Sequence, residues 1–249
     1  MRRKKKSFPV KPALLLGAAG LLLLGSTVGS TRAALTYYSE NYSAQVDMSS
    51  IGVSLLENGD TVSSRDYTSD GAWEGGTEGT LLTNLLGEGE KITPGKTYDE
   101  KLSVANSGNI DTFVRVILTK SWQDGDGAKD TTLSPDLIEL GLTEGSGWVQ
   151  ADVESSPERV VLYYTEALAP GETTEDLCDS IRISHEVANQ VTKVTEGNTI
   201  RYVYDYSGYS FTLDAEVDAV QTHNAQDAIK SAWGVDVNIS ADGQSLSLQ

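Results

Sequence analysis

Cysteine occurs once in this 249-residue chain, at Cys178, so no disulfide forms within it and no zinc site rests on several thiolates. Histidine occurs twice and phenylalanine three times. Basic residues are scarce beyond the start. Seven of the 19 Lys and Arg lie in the first 33 residues, where there is no acid. From Ala34 onward 36 acids face 12 bases, a net charge of −24. That balance argues against nucleic acid and anionic membrane as partners of this part, because both require a basic face. Hydrophobic residues make up 39% of the chain, low for a globular protein yet enough for a core. Glycine is abundant, at 24 residues, and Tyr, Thr, Val and Ser are frequent. This mixture favours strands and turns over helix bundles.

The N-terminus has three parts. Arg2, Arg3, Lys4, Lys5 and Lys6 open it, an apolar run covers residues 13–24, and small residues follow. This layout predicts a secretory signal over residues 1–33, cut between Ala33 and Ala34. A retained anchor is the competing reading, since residues 12–31 carry no charge and are just long enough for a bilayer. The short apolar part and the small-residue site favour cleavage.

Beyond residue 46 the chain reads as one domain, over residues 47–249. Val46, Met48, Ile51, Val53 and Leu55 nearly alternate, which predicts a strand over 43–56 with a kink near Ser49 and Ser50. Residues 57–96 hold eight glycines and read as a Gly-rich, partly irregular excursion. Strands are predicted at 101–105 and 112–120, flanking a tight turn at 106–109. In the second, Phe113, Arg115, Ile117 and Thr119 share one face, and Val114, Val116 and Leu118 the other. Ser134-Pro135 opens a short helix or turn through Leu140. Further strands start at Trp148 and cover 159–165, 181–187, 199–204, 209–220 and 235–239. Residues 224–233 form the best helix, capped by Asn224 and ended by Gly234, with Ala225, Ala228, Ile229 and Ala232 as its apolar stripe. The sum is a mainly β protein, a jelly-roll-like antiparallel β-sandwich with about nine strands and one or two short helices. Trp122, Trp148 and Tyr163 are expected to pack within it.

Catalytic patterns are near misses. His185-Glu186-Val187-Ala188-Asn189 departs from HExxH at its second ligand. On a strand, positions i and i+4 lie about 13 Å apart, too far to share a metal. His223 beside Asn224 reads as part of a local turn. Gly89 and Gly95-Lys96-Thr97 miss the phosphate-loop spacing by one residue. Asp124 and Asp126 sit in a loop too short for a helix-loop-helix calcium site and offer at most a weak calcium contact. Cys178, between Asp176 and Asp179, is expected to be a buried or idle thiol. No catalytic, cofactor-binding or metal-ligating residue is assigned, and the residues favour a non-enzyme.

Several segments together carry a family likeness. They are Ala34-Leu35-Thr36-Tyr37-Tyr38-Ser39-Glu40 after the signal, Leu55-Leu56-Glu57-Asn58-Gly59, and Pro94-Gly95 followed by VANSGNIDTFVRVILTKSW (104–122). Gly147-Trp148-Val149, VLYYTEALAPGETT (161–174) and AEVDAVQTHNAQDAIKSAWG (215–234) complete the set. On these the chain resembles the TasA/camelysin family of secreted proteins of Gram-positive bacteria, processed by a SipW-type signal peptidase. The resemblance implies a jelly-roll subunit of extracellular biofilm matrix fibres, with itself and other matrix components as partners. It also implies that the segment freed by cleavage, residues 34–46, is a strand donated to the next subunit, with Leu35, Tyr37, Tyr42 and Val46 as anchors. A camelysin-like secreted metallopeptidase and a monomeric adhesin are the alternatives.

Overall fold

The computed structural model describes residues 50–67, 73–189, 191–196, 199–204 and 206–249. The expected signal, its cleavage at Ala33 and Ala34, the donor residues Leu35, Tyr37, Tyr42 and Val46, and the strand start at 43–49 lie outside them.

In chain order the strands are β1 (Gly52–Glu57), β2 (Asp60–Tyr67), β3 (Trp73–Glu78), β4 (Thr97–Asn106), β5 (Thr112–Gln123), β6 (Lys129–Asp130), β7 (Ile138–Leu142), β8 (Trp148–Gln150), β9 (Arg159–Tyr164), β10 (Cys178–Ile183), β11 (Val191–Glu196), β12 (Thr199–Tyr204), β13 (Ser210–Gln221), β14 (Val237–Ile239) and β15 (Leu246–Leu248). Among the described residues there is one α-helix, α1 (Ala225–Trp233), between β13 and β14. Among the described residues no helix is long and apolar enough to cross a membrane.

The architecture is an antiparallel β-sandwich. One sheet runs β3-β2-β1-β4-β10-β7, and the other runs β13-β5-β9-β8 with β6 beside β5. β11 and β12 form a separate hairpin, as do β14 and β15.

The central strand β5 explains the layering. Its sequence TFVRVILTKSW is apolar at nearly every position, which suits a strand covered on both sides. Val114, Val116, Leu118 and Trp122 point into the space between the sheets, where they meet Val53, Leu55, Leu102, Val104 and Ile181. Phe113 and Ile117 point outward, into a second core closed by Ala225 and Ile229 of α1 and by Val237 and Leu246 of the β14–β15 hairpin. The outer face of the second sheet is thus roofed by a third layer. Tyr163, fully buried, and Trp148, 8% exposed, pack as expected, as does Trp122 at 4%.

Arg115, on the same outward face as Phe113, ties that roof down. Its Nε and Nη2 donate to Asp218 Oδ2 at 3.0 and 2.5 Å, and its guanidinium lies 5.1 Å from the Trp233 ring. The Tyr163 hydroxyl donates to Glu154 at 2.9 Å on the same face.

Five expectations are corrected. The front of the 57–96 excursion is regular: β2 and β3 extend the first sheet, because the Asn58-Gly59 turn, with both residues at positive φ, folds β2 back onto β1. Residues 106–109 do not close a hairpin, since β4 and β5 belong to opposite sheets. Asn106 instead pins the crossover, donating from Nδ2 to the Ile110 and Leu168 carbonyls, both at 2.8 Å. The turn after Ser134 is a single 3₁₀ turn (Pro135–Leu137), and the chain then enters β7. β10 stops at Ile183, and His185–Asn189 is a 3₁₀ turn. Asn224 precedes α1 in the left-handed conformation (φ 53°) and makes no side-chain cap, whereas Gly234, at φ 78°, ends the helix as expected.

Candidate functional site

Among the described residues the longest edge of the sandwich is β13. β5 holds it along its entire length, from Ser210 opposite Gln123 to Gln221 opposite Thr112. Its other side makes no backbone hydrogen bond among the described residues. Twelve residues give an edge about 40 Å long. Alternation sorts its side chains. Phe211, Leu213, Ala215, Val217 and Ala219 face the inter-sheet core, and all but Leu213 are only partly buried. Asp214, Glu216 and Asp218 take the opposite face, where Asp218 is held by Arg115.

Beside this edge is a cleft of about 290 Å³. Leu213, Asp214 and Ala215 form one wall and Leu55, Val62 and Ser63 another. The third wall is the start of a strap, residues 79–93, that crosses the end of the sandwich. Leu81, Leu82, Leu85, Leu86 and Ile92 of the strap pack against the core, half-buried. Gly79 permits its close approach, because a Cβ there would lie 2.2 Å from the Val62 carbonyl oxygen. Two hydrogen bonds tie the strap to the strands among the described residues. Thr93 N donates to the Tyr98 hydroxyl at 2.8 Å, and Leu82 N donates to Glu57 Oε1 at 2.5 Å. Leu82 takes φ 65°, a left-handed conformation costly for a residue with a Cβ.

Glu57 belongs to a buried pair of carboxyls. Val53, Leu55 and Glu57 share the core face of β1, and Tyr98, Glu100, Leu102 and Val104 share that of β4. The two acids therefore take apolar positions, with Glu57 7% and Glu100 1% exposed. Glu100 Oε2 accepts from Asn58 Nδ2 at 3.4 Å, and Oε1 has no hydrogen-bond partner among the described residues. Burial pushes the Glu100 carboxyl up to about 8, with the neighbouring Glu57 carboxyl raising it further and the Asn58 amide pulling it down. At neutral pH Glu100 is thus a neutral acid.

Among the described residues, two further cavities flank the sandwich. One, of about 540 Å³, is walled by Trp122, Phe211, Tyr206 and Tyr209 on one side and by Leu86 and Ile92 of the same strap on the other. The second, about 450 Å³, opens between β7 and β8 over Lys120, whose Nζ donates to the Ile138 carbonyl at 2.5 Å. Burial pulls the Lys120 ammonium below its ordinary value.

The structure scatters the remaining sequence candidates. Cys178 is fully buried on β10, and burial pushes its thiol up to about 12, with Glu100, Asp176 and Asp179 adding to the rise. His185 and Glu186 are exposed on their 3₁₀ turn, and His223 is exposed before α1. Asp124 Oδ1 accepts from Asp126 N and Ala128 N, so the loop uses that carboxylate for its own backbone. Gly95 N donates to the Ile183 carbonyl at 2.7 Å, far from a phosphate-loop arrangement. Among the described residues no three His, Cys, Asp or Glu side chains gather as a metal site. Glu57 and Glu100 belong to no sequence motif. Their signal was the alternation itself, which puts each acid where the strand needs an apolar residue. No protein-family model matches this chain, and no curated protein or solved structure matches it either.

Proposed function

We propose that this chain is a secreted structural subunit of extracellular matrix fibres, in which residues 34–46 of one copy add as a strand to β13 of the next. One observation supports this reading above the others. β13 is a 12-residue edge strand whose outer side makes no backbone hydrogen bond among the described residues. Proteins ordinarily shorten, bend or cover such an edge, because a long one templates strand addition. An added strand gains main-chain hydrogen bonds, and pockets for its alternate side chains supply selectivity.

Residues 34–46 suit that role by length and charge. Extended, they reach about 44 Å, close to the length of β13. They carry one charged residue, Glu40, so they add little repulsion to an edge bearing Asp214 and Glu216. Leu35 and Tyr37 fall on one side of such a strand and Tyr42 and Val46 on the other. One side enters the cleft beside Leu213 and the other covers the outer face. An interface between two different surfaces of the same chain extends into a filament where its rotation does not close into a ring. The resemblance to the TasA/camelysin family points the same way, to a jelly-roll subunit released by a SipW-type peptidase and assembled with other matrix components outside the cell.

A synthetic peptide of residues 34–46, added to a chain beginning at Ser43, tests this. Amides of β13 should gain protection from hydrogen exchange while those of β9 stay unchanged. Protection confined to another edge, or none at all at millimolar peptide, would remove the proposal.

A further inference from the structure

We infer that residues 79–93 are a cover on the β13 edge, latched by a proton held at the Glu57–Glu100 pair and lifted when that proton is lost. The inference deepens the assembly reading and rests on it for the purpose of the cover. The cover itself stands on geometry.

Gly79, Thr80 and Leu81 wall the cleft into which an added strand would point its side chains. At the next residue the strap is fastened to the core by Leu82 N on Glu57 Oε1, at a residue held in a left-handed backbone conformation. A strained residue persists only while its surroundings hold it there. The holding group is one of two carboxyls buried side by side, and one oxygen of the other lacks a partner among the described residues. Two adjacent buried carboxyls cannot both ionise cheaply, because neither burial nor a cation offsets the second charge. Removing the proton therefore favours any movement that admits water, and the strap is the wall fixed to this pair by a single polar tie.

The surrounding groups leave the pair as the responsive element. On β4, Asp99 and Lys101 flank Glu100 but are exposed, and Lys101 pairs with Asp176 at 3.5 Å. In the register of β2, Asp60 stands opposite Glu57 and is exposed. From β10, Cys178 Sγ donates to the Glu100 carbonyl at 3.6 Å, and burial pushes its thiol up to about 12, so it is neutral at about pH 6 and about pH 9. Tyr98, on the same face of β4, accepts from Thr93 N. Asn58 is neutral. On the strap, Glu88, Glu90 and Lys91 are exposed, with Glu90 accepting from Gly87 N. Among the described residues neither Glu57 nor Glu100 has an ion-pair partner.

The test is hydrogen exchange on the purified protein at about pH 6 and about pH 9, at constant high salt and corrected for the intrinsic base-catalysed rate. Peptides covering 79–86 should lose protection at least tenfold between the two, while β5 keeps its own. Glu100→Gln, and Glu57→Gln should the first fail to fold, should hold the strap protected at both pH values. Equal protection of the strap at both pH values in the unsubstituted protein overturns the latch. So does the same loss in both Gln variants. The covering role is read separately, from binding of a 34–46 peptide, which should strengthen by a similar factor at the higher pH and not in Glu100→Gln. Equal binding at both pH values with an opening strap overturns the cover. Binding at neither, with the strap still opening, supports the latch and overturns the edge as the assembly site.

Discussion

Glu100 carries a charge state that only its surroundings explain. It occupies a core position on β4 at 1% exposure, and burial holds its carboxyl up near 8. An unfolded chain releases this proton near the ordinary value of 4.5. Between these limits the native state binds a proton that the unfolded state has lost, so stability declines as pH rises from about 4.5 to about 8. The contribution is complete below the lower limit and gone above the upper one. Glu100→Gln keeps the shape and removes the proton, and its chemical denaturation midpoint should stay nearly level across that window where the unsubstituted protein's falls. A parallel decline in both proteins would place the pH dependence elsewhere. Trp122 works at the same scale without charge. It donates from Nε1 to the Ser134 carbonyl at 2.9 Å and meets Phe211 edge-on at 6.2 Å, which fastens β5 to the turn before β7 and to β13.

At the scale of elements, α1 is held by a mixed contact. Ile229 supplies the buried apolar anchor, and Trp233 rests on Arg115, which in turn holds Asp218 of β13. Removing one partner of a mostly buried ion pair leaves the other without compensation. Arg115→Ala should therefore cost about 3 kcal/mol of stability, read from the shift in a denaturation curve, with exchange in α1 rising first. An unchanged midpoint would show that the roof is held by Ile229 and the hairpin alone. Periodicity made β5, β9, β13 and α1 legible in the sequence, because each repeats its pattern over six residues or more. It also made Val114 and Phe113 legible as belonging to opposite faces. Strands of two or three residues, such as β6 and β15, are too short to show a period. β2 and β3 were hidden by glycine and serine, since their pairing rests on the Asn58-Gly59 turn rather than on an apolar face. The crossover at 106–109 looked like a hairpin because turn residues report a local reversal and not which sheet receives the chain. The edge of β13 was invisible for the same reason: a strand sequence does not state how many neighbours it has.

For the whole molecule, charge and topology pull in opposite directions. From Ala34 onward the chain carries −24, and subunits brought together repel one another. Fibre growth should quicken several-fold as ionic strength rises from about 0.01 M to about 0.15 M, where the screening length falls from about 30 to about 8 Å. Calcium should act in the same direction by lowering the net charge, whereas acid lowers that charge but keeps the strap latched. Light scattering reads this directly, and equal growth at both salt levels would contradict it. Salt screens the repulsion between subunits but does not reach the buried Glu57–Glu100 pair, so the two controls separate: one follows ionic strength, the other follows pH at constant high salt.

The measurement that bears most directly on the central claim is electron microscopy of two purified forms, one beginning at Ala34 and one beginning at Ser43, at the same concentration, salt and pH. Fibres from the longer form alone are the result this account predicts, since only that form carries the strand that β13 is proposed to accept. Fibres of equal abundance from both forms, or from neither, would contradict it.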